Sequence, residues 1–128
     1  MSAFIILGME DVLELHRRQI GIFGGMSGLR DSAVLESACH APHNVLFYEN
    51  GDLVDCAAAL MWHLSCDHPF LDGNKRIGTV AGIVMLSVNG RLLPDDDVFQ
   101  SKLIELMVDT ADHRTTRQDI ANFIRRQL

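Results

Sequence analysis

The run His68-Pro69-Phe70-Leu71-Asp72-Gly73-Asn74-Lys75-Arg76 places an imidazole, a carboxylate, a glycine, an amide and two cations in one short stretch of a 128-residue chain. Imidazole is the side chain suited to taking a proton from an attacking hydroxyl near neutral pH, which makes His68 a candidate general base. A carboxylate can share a magnesium ion with phosphate oxygens while the ion keeps several waters, which makes Asp72 a candidate metal ligand. A helix that begins at Gly73 or Asn74 offers unpaired N–H groups and the positive end of its macrodipole as a seat for phosphate. Gly73 has no Cβ to obstruct close approach, Asn74 can fix the turn or donate an amide, and Lys75 and Arg76 add full positive charge. Each residue also has a plainer role when taken alone. His68 could be structural beside a proline turn, Asp72 a helix N-cap, and Lys75 with Arg76 a solvated pair. Phe70 anchors the loop to the core under either reading. The combination within one window is what selects the chemical one.

The elements around this run must hold it in place. Pro69 and Gly73 interrupt any continuous helix, so His68 and Asp72 line a turn and do not share a helical face. Upstream, Leu53, Val54, Ala57, Ala58, Leu60, Met61 and Leu64 predict a central helix, apolar on most sides, that starts near Asp52 and stops before Pro69. Downstream, Ile77, Val80, Ala81, Val84, Met85 and Val88 predict a partner helix ended by Asn89-Gly90. The first helix follows an apolar stripe of Val12, Leu13, Leu15 and Ile20 and ends near Gly21, ahead of the glycine-rich break at Gly24, Gly25 and Gly28. The second, capped by Asp31 or Ser32, carries Val34, Leu35 and Ala38 for about three turns until Pro42 limits it. Pro94 and Asp95 to Asp97 open a fifth helix, and Thr115 with Gln118 forms a capping box for a sixth. Val45 to Tyr48 followed by Asn50-Gly51 predicts a two-stranded hairpin between Val45 and Leu53. The expected fold is all-α: one domain over residues 1–128, a bundle of about six helices with a small β-hairpin.

Composition narrows the function. Hydrophobic residues are 48% of the chain and aromatics 6%, so the core is built from aliphatic side chains, a mixture that favours helices. A formal charge of -6 argues against a general basic surface for nucleic acid, so any anion site is local. Cys39, Cys56 and Cys66 have no zinc spacing and read as free thiols in a reducing cytoplasm. The apolar run from Ala3 to Leu7 is too short to span a bilayer and lacks a basic lead-in, so neither membrane insertion nor export is expected.

HPFLDGNKR resembles the signature of the Fic/Doc family, in which His, Pro, Phe, an acidic residue, Gly, Asn, Gly or Lys, and Arg occur in this order and spacing. The segment Phe23 to Ala38, FGGMSGLRDSAVLESA, is similar to the region upstream of that signature in Doc toxins, and the resemblance covers essentially the whole chain. It implies a Fic/Doc-like helical bundle with His68 as general base, Asp72 as metal ligand, and Gly73, Asn74, Lys75 and Arg76 holding nucleotide phosphates. It also implies a flap hairpin that aligns the target segment by strand addition, which the Val45 to Leu53 signal matches in position. The cofactors implied are ATP and Mg2+.

Two departures bear on the reaction. Fic adenylyltransferases have Gly where this chain has Lys75, and a second Arg where this chain has Thr79. The lysine form in Doc is associated with reversed nucleotide, so that the γ-phosphate meets the target hydroxyl. Gly73, by contrast, matches the Fic form better than the Ala of the founding Doc protein. The resemblance therefore implies a Doc-like kinase toxin of a type II toxin-antitoxin system that phosphorylates a threonine of elongation factor Tu and arrests translation. The alternatives are AMP transfer through the same loop and a non-catalytic module that binds nucleotide or a partner. Ser32 to Glu36 matches only the first part of an inhibitory Fic helix, since Ser37 breaks it. Restraint is expected from a separate Phd-like antitoxin whose disordered segment folds into a groove near the site. His16, His40, His43, His63 and His113 read as surface or capping groups, His63 also as a candidate support for His68, and Trp62 as a packing residue.

Overall fold

The computed structural model describes residues 4–128, so Ala3 at the start of the apolar N-terminal run lies outside the described residues. Six helices follow one another: α1 (Met9–Phe23), α2 (Ser32–Tyr48), α3 (Leu53–Cys66), α4 (Asn74–Val88), α5 (Asp97–Ala111) and α6 (Arg117–Arg125). Side chains that accept the first free amides start most of them. Asp31 accepts from Ala33 and Val34 at the head of α2, and Asp96 accepts from Phe99 at the head of α5. Asp52 and Asp55 bond each other's amides at the head of α3.

Helix α3 is the axis of the molecule. Cys56, Ala57, Ala58, Ala59, Leu60, Met61 and Leu64 are all buried, and the helix packs against α2, α4, α5 and α6. Its apolar residues point in every direction, as a helix wrapped on all sides requires. Helix α4 lies closest to it. A Cβ at Gly78 would sit 2.2 Å from Ser65 Oγ and 2.9 Å from the Met61 carbonyl oxygen, so this crossing needs glycine. Helix α1 covers α4 and α2 and buries Val12 and His16. The turn from Asp67 to Gly73 thus leaves the most buried helix and enters its tightest neighbour, a firm base for a loop.

Three expectations are corrected. Residues 45–53 form no hairpin: α2 runs on to Tyr48 with Val45 buried, and Asn50 takes a left-handed conformation (φ 53°). The Gly51 amide then donates to the Val45 carbonyl at 3.0 Å. An Asn-Gly pair supplies positive φ, which ends a helix as well as it turns a hairpin, and the buried face of α2 decides between them. Pro42 does not end α2. It is buried inside the helix, and its carbonyl accepts the Cys56 thiol at 3.3 Å. Burial here outweighs a proline penalty of about 3 kcal/mol. The α6 capping box is formed by Thr116 and Asp119, whereas Thr115 bonds Thr110 and accepts the Trp62 indole N–H. Helix α1 continues to Phe23, two residues past Gly21. The β pairing among the described residues is one antiparallel bridge between Leu29 and Phe70.

Candidate functional site

The bridge between Leu29 and Phe70 ties the α1–α2 connection to the α3–α4 turn. Leu71 donates its amide to the Gly28 carbonyl at 3.1 Å, and the Arg30 and Asp31 amides donate to the Pro69 carbonyl at 2.8 and 3.1 Å. Arg30 extends this clamp: Nη2 donates to the Asp67 carbonyl at 2.9 Å and Nε donates to the carbonyl of His68. His68 itself has φ 52°, a left-handed conformation that costs a non-glycine residue about 1 kcal/mol or more. The Arg30 contacts hold that conformation and leave the imidazole exposed.

Asn74, the first residue of α4, folds the turn back on itself. Its Oδ1 accepts from the Phe70 amide at 2.9 Å and its Nδ2 donates to the Phe70 carbonyl at 3.0 Å. Nδ2 also lies 3.5 Å from Nδ1 of His68. Asp72 is gripped at three atoms. Oδ1 accepts from the Gly73 amide at 2.8 Å, Oδ2 accepts from the Met26 amide at 3.2 Å, and the main-chain oxygen meets Nε2 of His16 at 2.8 Å.

Helix α4 starts from Gly73 in a left-handed conformation (φ 77°), with no side chain accepting its first amides. Those N–H groups, with the positive end of the helix dipole, face a cleft of about 430 Å³ lined by His68, Leu71, Asp72, Gly73, Asn74, Lys75, Arg76 and Ala111. Pockets of this size suit a small-molecule ligand. The start of α6 makes the contrast: beside its hollow of about 370 Å³ the Thr116 hydroxyl accepts the Asp119 amide, a side-chain cap that α4 lacks. Lys75 and Arg76 are exposed and enter no ion pair among the described residues, and the Arg76 guanidinium lies 4.6 Å from the centroid of the Phe23 ring.

These residues fit a nucleotide with a divalent cation. The uncapped amides and two free cations match phosphate oxygens. The Asp72 carboxylate has about four acceptor positions, of which two amides occupy one each, so it retains lone pairs for a cation. All six residues singled out from the sequence line one cleft.

Other residues fall differently. His63 does not touch His68; its Nδ1 pairs with Asp67 Oδ2 at 2.8 Å, one residue away. Ser32 and Glu36 are exposed on α2. His16 is a correction, since it is buried where a surface or capping role was expected. Two supports had been missed. Arg30 carried no mark in the sequence beyond its place in a resembling segment. His16 did carry one, because it stands four residues after Val12 and four before Ile20, on the buried stripe of α1.

Known proteins resemble this chain in sequence. The Fic/DOC family pattern matches residues 6–86. A relative named Toxin Doc from Mycolicibacterium smegmatis is 34% identical over 93 residues, covering 70% of this chain and 72% of that protein. Protein kinase doc of Escherichia phage P1 is 28% identical over 119 residues, covering 91% of this chain and 90% of that protein.

Proposed function

This chain belongs to the Fic/DOC family, and on that premise we propose that it is a Doc-type toxin that transfers the γ-phosphate of ATP to a hydroxyl side chain of a host protein. The observation that carries the reading is the bare start of α4 facing the cleft shared by His68, Asp72, Lys75 and Arg76. Gly73, which has no Cβ, lets the phosphates approach the free main-chain amides at the start of α4, from Asn74 onward, and Lys75 and Arg76 balance their charge. Asp72 holds the magnesium ion, which when bound neutralises charge on the triphosphate. His68 takes the proton as the acceptor oxygen forms its bond to the γ-phosphorus, the bond from that phosphorus to the bridging oxygen breaks, and ADP leaves. Lys75 and Thr79 stand where the adenylyltransferase pattern has Gly and Arg, and one relative is named as a protein kinase. Both favour phosphoryl over AMP transfer.

The acceptor proposed is elongation factor Tu, the consequence arrest of translation, and the place of action the cytoplasm. A Phd-like antitoxin restrains the enzyme by folding a disordered segment onto it near the cleft. Incubation of the purified chain with elongation factor Tu, Mg2+ and ATP labelled at either the α or the γ position tests the reaction. Label from γ alone is expected, and His68→Ala should lower it about 100-fold or more. Label from α would establish AMP transfer, and absence of label together with a cellular effect unchanged by His68→Ala would make the chain a binding module. Growth arrest on expression without an antitoxin is expected, and harmless expression with His68 intact would contradict it.

A further inference from the structure

His16 stands in the middle of α1 and is 4% exposed. A leucine or phenylalanine would fill that space without a polar atom to desolvate, so a buried imidazole calls for a partner. The partner is specific. Nε2 lies 2.8 Å from the Asp72 main-chain oxygen, and since a carbonyl can only accept, Nε2 carries the hydrogen and donates it. The ring lies flat on that of Phe70, with centroids 3.7 Å apart and planes 8° apart. Nε2 is also 3.6 Å from where a Cβ on residue 73 would stand. One side chain of α1 thus touches the loop at Phe70 and Asp72 and lies beside Gly73.

The Asp72 carbonyl and the Gly73 amide belong to the same peptide unit. His16 holds its oxygen, while Asp72 Oδ1 holds its N–H at 2.8 Å. That plane is pinned at both ends. If it rotates, the carboxylate loses its amide partner and the left-handed turn that starts α4 changes with it. We propose that His16 is a positioning residue, whose N–H locks the Asp72–Gly73 peptide so that the carboxylate and the first amides of α4 face the cleft together. The inference rests on the function proposed for that cleft, but its structural part can be judged without it.

Two variants separate the N–H from the ring. His16→Phe keeps the ring and loses the donor, whereas His16→Gln keeps a donor at similar reach and loses the ring. Amide 15N relaxation at Gly73 reads the lock directly, with an order parameter near 0.85 expected in the wild type and below about 0.6 in His16→Phe. Transfer of γ-phosphate from ATP to elongation factor Tu should fall about 10- to 100-fold in kcat for His16→Phe, with a smaller change in KM. His16→Gln should restore both measurements to near wild type. A folded His16→Phe with wild-type order at Gly73, or with wild-type turnover, overturns the proposal. So does a His16→Gln that behaves like His16→Phe, and this variant decides alone if His16→Phe does not fold. Should the wild type transfer neither phosphoryl nor AMP, the proposed function fails while the relaxation measurement still judges His16.

Discussion

Asp72 shows how a single carboxylate can be both aimed and available. Its two oxygens accept from Gly73 and Met26, which fixes the direction of the group while leaving lone pairs for a cation. Asp72→Asn keeps an oxygen for the Gly73 amide but removes the charge. We expect turnover to fall on the order of 100-fold with little change in melting temperature, and magnesium titration of the initial rate to show a higher requirement. The cleft residues between His68 and Arg76 were legible in the sequence because they are contiguous and their chemistry is unusual in combination, whereas Ala111, from the end of α5, was not. His16 and Arg30 were not, for they reach the loop from α1 and from the connection that follows it. Contacts of that kind depend on tertiary packing, and a local pattern shows at most that a side chain is buried, not what it meets. The spacing from Val12 to His16 to Ile20 is the trace that such packing left.

At the scale of elements, the helices with the strongest patterns were readable and the ambiguous one was not. Helices α3 and α4 are apolar over most of their length, and their ends fall at Asp52, before Pro69, near Gly73 and at Asn89 as expected. The stretch from Pro42 to Gly51 carried a helix breaker, a β-rich run and a turn pair, yet it is helix as far as Tyr48 because Val45 and Pro42 are buried on it. Close packing at α3 and α4 makes a prediction of its own. Gly78→Ala would press a methyl group against the Met61 carbonyl, which has no freedom to move aside, and should cost about 1 to 3 kcal/mol, read as a lower urea midpoint.

A second prediction concerns the head of α3. Arg125 of α6 donates to Asp52 and Asp55, each at 2.8 Å. Partial burial pushes the Asp52 carboxyl up, but the Asp55 amide and the Arg125 guanidinium outweigh it and hold the group below the usual carboxylate range. A carboxyl depressed in this way adds stability above its unfolded value and loses it as pH falls through the lower folded value. Melting temperature should therefore decline on acidification below about pH 4, and the decline should be shallower in Arg125→Ala. At neutral pH, Asp52→Ala should cost about 1 kcal/mol through the lost cap, measured by urea unfolding.

The whole molecule keeps its reactive sulfur inside. Burial pushes the thiols of Cys39, Cys56 and Cys66 up to about 11, with nearby carboxylates adding to the effect. Thiolate is the reactive form, so the native chain should resist a disulfide reagent at pH 8 and release three equivalents only once unfolded. No helix among the described residues is long and apolar enough to cross a membrane.

The bare beginning of α4 has a further consequence for how the molecule behaves in a nucleotide-rich solution. A helix that lacks its own terminal acceptor is an unfinished piece of secondary structure, and the triphosphate proposed for this cleft would supply the missing end group. Ligand seated there becomes part of the fold's free energy, so ATP with Mg2+ at a hundred times its dissociation constant should add about 2.7 kcal/mol and raise Tm by roughly 10 °C. Under the proposed function, folding of this chain would then be coupled to the energy charge around it, and a fall in ATP would loosen the helix proposed to seat it.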